Sequence, residues 1–228
     1  RPAEDKSVSK AEGKNFTSEF FNSFREFFNK KQIGVVISFL LLYRLGESQL
    51  VKLASPFLLD AKEAGGLALL TQDVGFIYGT VGIIALVIGG LAGGFAIARN
   101  GLKYWLWWML IAINLPDVVY VYMSAVQPQS IFVVTICVAI EQLGYGFGFT
   151  AYLMYMIYVS EGEYKTSHYA ICTGFMALGM MLPGMVSGAI QEMLGYKMFF
   201  IWVCISTIPP FILARYLHID PEFGKKKI

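Results

Sequence analysis

Arg44 and Glu47 stand three residues apart in an otherwise apolar run, and Glu141 with Gln142 stands in a second such run. Ionisable side chains surrounded by that much apolar sequence are expensive to keep unless they face protein or a water-filled cavity. At that spacing Arg44 and Glu47 share a helical face and are expected to pair. Glu141 and Gln142 are followed by Tyr145, Phe147, Phe149, Tyr152 and Tyr155, an acid and an amide ahead of a wall of aromatic faces. That combination suits an amphipathic or sugar-containing ligand. A carboxylate in a low dielectric prefers its proton while a neighbouring guanidinium favours ionisation, so an arginine that moves beside Glu47 would switch its proton affinity. Asp117, after Pro116, is a third intramembrane acid. Plainer readings stand beside these: a structural ion pair for Arg44 and Glu47, lipid contact for much of the aromatic wall, and snorkelling to the surface for Lys52.

These groups must be positioned by membrane helices. The 228-residue chain is 56% hydrophobic and only 15% charged, and its charges cluster between long apolar runs. Such runs are longer than buried core helices need and long enough to cross a bilayer. Residues 1–14 read as a disordered linker and 15–32, with Phe16, Phe20, Phe24, Phe27 and Phe28 at helical spacing, as an amphipathic interfacial helix. Six spans are expected at 33–59, 74–98, 103–124, 130–159, 166–192 and 197–217, followed by a basic tail at 218–228. Glu47 then lies about fourteen residues into the first span and Glu141 about eleven into the fourth from the opposite side, which at roughly 1.5 Å per residue places both near mid-depth.

Arg25, Lys30, Lys31, Arg99, Lys103, Lys165, Arg215 and Lys225 to Lys227 fall on one side of this layout, with Lys197 opposite. The positive-inside rule makes the basic side cytoplasmic, with both termini there. An offset of 94 positions (141 minus 47) carries Glu47 to Glu141, Gly90 to Gly184, Gly94 to Gly188, Gly101 to Gly195 and Lys103 to Lys197. Three spans per repeat is an odd number, so the fold expected is an all-α integral membrane six-helix bundle made of two inverted three-helix repeats. Gly75 and Gly79, Gly90 and Gly94, Gly144 and Gly148, and Gly184 and Gly188 are spaced for close helix approach.

The run from Gly94 through Arg99 and Gly101 to Lys103 resembles the loop signature of the major facilitator superfamily, with Ala98 where that signature carries an acid. The runs Leu42 to Glu47, Pro56 to Leu59 and Ala139 to Gly144 are similar to those of AmpG-type muropeptide permeases and their acetyl-CoA transporter relatives, over most of residues 33–217. Those permeases commonly carry Lys and Asp at the positions of Arg44 and Glu47. The resemblance implies helices seven to twelve of a twelve-helix permease whose preceding six-helix half lies elsewhere, taking up anhydro-muropeptides by proton symport across a bacterial inner membrane. Gly94, Arg99, Gly101 and Lys103 would then form a gating loop. Other solutes, namely acetyl-CoA, a sugar or a peptide, are the alternative within that fold, and a channel or structural membrane module is the alternative outside it.

The chain opens at Arg1 with a charged stretch rather than a methionine and an apolar leader, which suits a piece of a longer protein. A net charge of +2 gives no footing for nucleic acid. The expected partners are the lipid bilayer, a small solute and H+. Neither a Gly-x-Ser-x-Gly elbow nor a His-Glu-x-x-His pair is present, and His168 and His218 have no neighbouring nucleophile, so no enzyme, cofactor or metal is expected.

Overall fold

The computed structural model describes residues 16–226, and every described element of regular structure is helical. The expected linker at 1–14 lies outside the described residues. The first helix, α1 (Phe16–Phe28), precedes five helical lengths that are long and apolar enough to cross a membrane: Ile33–Leu59, Thr71–Asn100, Leu102–Val126, Ile131–Ser160 and Lys165–Ala214. The last of these turns at Gly195, whose φ of 71° and ψ of 163° are not helical, so it supplies a fifth and a sixth span.

Several spans are interrupted. The first divides into α2 (Ile33–Leu42) and α3 (Leu45–Leu59), with Arg44 at φ −110°, ψ 27° between them. The second runs from α4 (Thr71–Phe76) through a π-helical stretch, Ile77–Gly82, into α5 (Ile83–Asn100). The third is α6 (Leu102–Asn114), a 3-10 turn at Leu115–Asp117, and α7 (Val118–Val126). The fourth, α8 (Ile131–Ser160), is continuous. α9 (Lys165–Ser206) contains Gly195 and passes through Thr207 into α10 (Ile208–Ala214). Pro116, Pro209 and Pro210 account for the third and sixth interruptions, since proline lacks the amide that the helical ladder needs.

Glycines let the backbones touch. A Cβ on Gly144 or Gly148 of α8 would run into the carbonyls of Ala112 or Met109 on α6, and one on Gly146 into that of Leu86 on α5. Gly89 faces the Leu143 and Phe147 backbone, and Gly179 of α9 faces that of Leu41 on α2. Gly75, Gly79, Gly94 and Gly188 have open space where a Cβ would be, so only part of the small-residue spacing is used in packing within this chain.

Side chains gather into two apolar cores. One holds Phe39, Tyr43, Met109, Ile113, Tyr152 and Tyr155, the other Leu50, Phe57, Tyr120, Val138, Phe199 and Val203. Large apolar groups elsewhere point outward, among them Phe95 at 74% and Met185 at 75% exposure. Such a rim suits lipid or another protein surface, not water.

The segment after α10 does not hang free. Leu102 N donates to Phe223 O (3.0 Å), Lys226 N to Ala98 O (2.8 Å) and Asp220 N to the Tyr158 hydroxyl (3.2 Å), while Phe223 packs edge-on against Tyr158. Within the expected basic tail, residues 220–226 therefore form a strap across the turn between the second and third spans. At the start of the first span, Lys30 Nζ donates to the carbonyls of Val159 (2.6 Å) and Glu161 (2.9 Å), satisfying the C-terminus of α8.

Gly101, at φ 85° and ψ 160°, and Gly195 share a region of backbone space that is essentially closed to other residues. Alanine at either position should cost about 1–3 kcal/mol of conformational strain. At Gly195 a Cβ meets nothing within 4 Å, whereas at Gly101 it would lie 2.8 Å from Pro221 O. Gly101→Ala should thus lower the unfolding midpoint in detergent further than Gly195→Ala. Two variants as stable as the parent would contradict this account of the turns.

Candidate functional site

The acids occupy a polar layer between the two apolar cores. Along the first span Glu47 falls between Tyr43 of one core and Leu50 of the other; along the third, Asp117 falls between Ile113 and Tyr120; along the fourth, Glu141 falls between Ala151 and Val138. All three are buried, at 3%, 1% and 2% exposure. Three helices thus change from apolar to acidic at one level and back again.

Glu47 sits in the first turn of α3, which begins only because the first span breaks at Arg44. It lines a cavity of about 310 Å³ together with Glu141 and Gln142 of α8, Ser55 of α3, Tyr78 of the π-helical stretch and Tyr120 of α7. Gln142 Nε2 donates to Glu141 Oε2 (3.0 Å) and Oε1 (3.3 Å). The hydroxyls of Tyr78 and Tyr120 hydrogen-bond to each other. Glu47 Oε2 is buried with no partner. The wide π turn swings Tyr78 toward the cavity, and such turns recur at functional sites because they displace one side chain from the regular helical face. Hollows of about 560 Å³ beneath α1 and about 480 Å³ beside Lys30 are larger but contain none of the three acids.

Arg44 is not where its spacing predicts. It forms no ion pair with Glu47; among the described residues the only salt bridge joins Lys225 and Glu222. Instead its Nη2 donates to the Tyr145 hydroxyl, and its guanidinium carbon lies 5.0 Å from the Tyr145 ring centre and 4.8 Å from that of Phe149. The pairing rule presumes a continuous helix, and the break at Arg44 removes that premise. The break is itself held to α8 by Tyr43, whose hydroxyl donates to Gly148 O (2.7 Å), and by Tyr152, which donates to Leu40 O (2.5 Å).

The aromatic wall is also divided. Tyr145 and Phe149 carry Arg44, Tyr152 stacks on Tyr43, Tyr155 lies in the core, and Phe147 meets Trp105. The rings that line the acid cavity are Tyr78 and Tyr120, from helices distant in sequence. Only their hydroxyls, unusual in such apolar segments, marked them beforehand. Asp117 stays outside the cavity lining, against Gly46 of α3. In the loop resembling the gating signature, Gly94, Arg99 and Lys103 are exposed, and Gly101 makes the turn beneath the strap.

No protein-family model matches the chain. Among curated proteins it is 30% identical to "Putative transporter AmpG 2" of Rickettsia typhi over 203 residues, 89% of this chain and 48% of that protein. A protein of the same name from Rickettsia prowazekii matches at 30% over 205 residues, with the same two shares. "Putative transporter AmpG 4" of Rickettsia felis matches at 25% over 197 residues, 86% of this chain and 46% of that protein. The chain is homologous to the AmpG-like transporter family. It spans about half the length of these AmpG-like relatives. The relationship and the five long apolar helical lengths together make this an integral membrane protein.

Arg44 and Tyr145 join the first and fourth spans beside the acids, so their contact should be measurable as a coupling. Arg44→Lys keeps the charge but loses the planar stack, and Tyr145→Phe removes the hydroxyl. In a double-mutant cycle of unfolding in detergent, the pair should show about 0.5–2 kcal/mol of interaction. Strictly additive single effects would mean that the contact has no energetic weight.

Proposed function

We propose that this chain is one half of a proton-coupled permease that takes up a small amphipathic or sugar-peptide solute, such as an anhydro-muropeptide, across a bacterial inner membrane. The observation that carries the reading is the shared cavity: Glu47 and Glu141 line it from different helices, and no cation is paired with either. Two acids in one low-dielectric space favour retaining protons, and water entering the cavity lowers the cost of releasing them. Gln142 and the Tyr78 and Tyr120 hydroxyls offer the polar contacts that a solute bearing hydroxyl and amide groups needs. Relatives named as transporters support the same class.

A cavity of about 310 Å³ is small for a sugar-peptide solute. In this reading the remaining wall comes from a preceding six-helix half, in keeping with relatives of about twice the matched length. The six spans act as two inverted three-helix repeats. Gly101 and Gly195, 94 positions apart, adopt the same glycine-only conformation at corresponding turns. The second span packs on the fourth through Gly89 and Gly146, as the fifth packs on the first through Gly179 and Gly184. Rocking of such repeats about a central site gives alternating access. The basic ends, the strap at 220–226 and both termini lie on the cytoplasmic side, the interfacial helix within 15–32 lies on that face, and Gly94, Arg99, Gly101 and Lys103 form its gating turn.

In proteoliposomes holding the full-length transporter, a panel of labelled anhydro-muropeptides, acetyl-CoA, sugars and peptides should reveal a solute whose uptake follows an imposed proton gradient. Glu47→Gln and Glu141→Gln should bring gradient-driven uptake down to the level without a gradient while solute counterflow persists. Full gradient dependence in either variant would remove that residue from the coupling site, and absence of counterflow in the parent would turn the reading to a channel.

A further inference from the structure

Three helix interruptions meet at Gly46. The first span breaks at Arg44 just before it, the third breaks at Leu115–Asp117, and the sixth breaks at Thr207. A Cβ built on Gly46 would lie 2.6 Å from Thr207 Cγ2, 3.2 Å from Val203 O and 3.4 Å from Asp117 Oδ2. Thr207 N donates to Cys204 O (3.3 Å), and Thr207 Oγ1 donates to the same carbonyl (2.7 Å). The α-helical partner of that amide would have been Val203 O. The niche is therefore walled by a carboxylate and a main-chain carbonyl, both acceptors, with Gly46 as its third side.

Asp117 is 1% exposed and neither of its carboxylate oxygens has a hydrogen-bond partner. The charged and titratable groups around it are Glu47, next to Gly46 on α3, Glu141 on α8, Cys204 on α9, and Arg44, which is occupied by Tyr145. None of them supplies a donor or a paired cation. We propose that Asp117 is a third cation-binding carboxylate, separate from the solute cavity, that holds a single proton in this closed niche. The proposal rests on the proton-coupled reading above for its role in transport, but not for its chemistry.

Size selects the proton. A space that cannot take a methyl group on Gly46 without meeting Thr207 has no room for a sodium ion and the several oxygens such an ion requires. A proton needs no volume, and it converts Asp117 from an acceptor without donors into a donor facing acceptors. The three breaks are the places where these helices bend most easily. Bending that parts Gly46 from Val203 and Thr207 admits water and releases the proton, and closure requires its return. Occupancy of Asp117 is thereby tied to helix posture, while Glu47 and Glu141 are tied to the solute.

The test reads the resting, full-length protein by infrared spectroscopy in deuterated buffer at mildly alkaline pH. A protonated-carboxyl stretch should be present in the parent, remain in Glu47→Gln with Glu141→Gln, and vanish when Asp117→Asn is added to that pair. The asparagine variant, a neutral isostere, should keep the parent's thermal stability and solute counterflow and lose part of its gradient-driven uptake. Gly46→Ala, which pries the niche apart, should also lose the band. A spectrum unchanged by Asp117→Asn overturns the proposal, as does displacement of the band by sodium. The spectrum is recorded without transport, so a failure of proton-driven uptake alone would sink the permease reading and leave the protonated Asp117 in place.

Discussion

Three carboxylates buried at one level, with a single arginine near them that is engaged elsewhere, set the terms for the rest of this structure. Glu47, Asp117 and Glu141 interrupt what would otherwise be one apolar core and split it into two. A bundle held only by apolar packing gains nothing from such a layer, because burying each acid costs free energy that no paired cation among the described residues returns. The helices must therefore be fixed by other means. Glycine contacts supply one: α8 runs against α5 and α6 with backbone touching backbone. In such packing, dispersion contacts grow as side chains shrink. Tyrosine hydroxyls supply the other, pinning the broken first span to α8 through Tyr43 and Tyr152.

Arg44 shows how this layer avoids neutralising itself. A guanidinium within reach of Glu47 would ordinarily form an ion pair and end any exchange of protons. Here the planar group lies against the faces of Tyr145 and Phe149 and donates from Nη2 to a phenolic oxygen, while its Nε is buried without a partner. Aromatic stacking accepts a cation without offering a competing negative charge. The acids are thus left without a paired cation among the described residues.

Hydropathy made the membrane lengths readable, because a run of apolar side chains long enough to cross a bilayer has few other uses. Pro116 and the Pro209 and Pro210 pair stand at two of the interruptions, where proline cannot continue the helical ladder. The break at Arg44 was not legible, since no proline or glycine stands at that position and the α8 groups that hold it, Gly148 O and the Tyr152 hydroxyl, lie about a hundred residues away. From that one miss followed two others: the expected Arg44 and Glu47 pair, and an aromatic wall lining the cavity. Tyr78, Tyr120 and Gly46 were missed because their importance exists only after distant helices are brought together. Glu47, Glu141 and Gln142 were found because an ionisable group in apolar sequence is costly wherever it ends up.

Where this bundle bends is constrained by how its two ends are built. The Gly101 turn lies under the strap, with backbone hydrogen bonds from Leu102 to Phe223 and from Lys226 to Ala98, so the second and third spans are tied to the chain that follows the sixth. The Gly195 turn, which corresponds to it in the proposed repeat, has no atom within 4 Å of a built Cβ. At the strapped end, a hinge would have to break several hydrogen bonds at once. The polar layer is different: there the first, third and sixth spans are already interrupted, and the amide of Thr207 has already left its helical partner. Bending the first, third and sixth spans at that level disturbs fewer helical hydrogen bonds than bending a continuous helix, and it moves the surroundings of all three acids together. The breaks and the acids therefore belong to one device, since a proton bound at this height changes the cost of the very motion that exposes it.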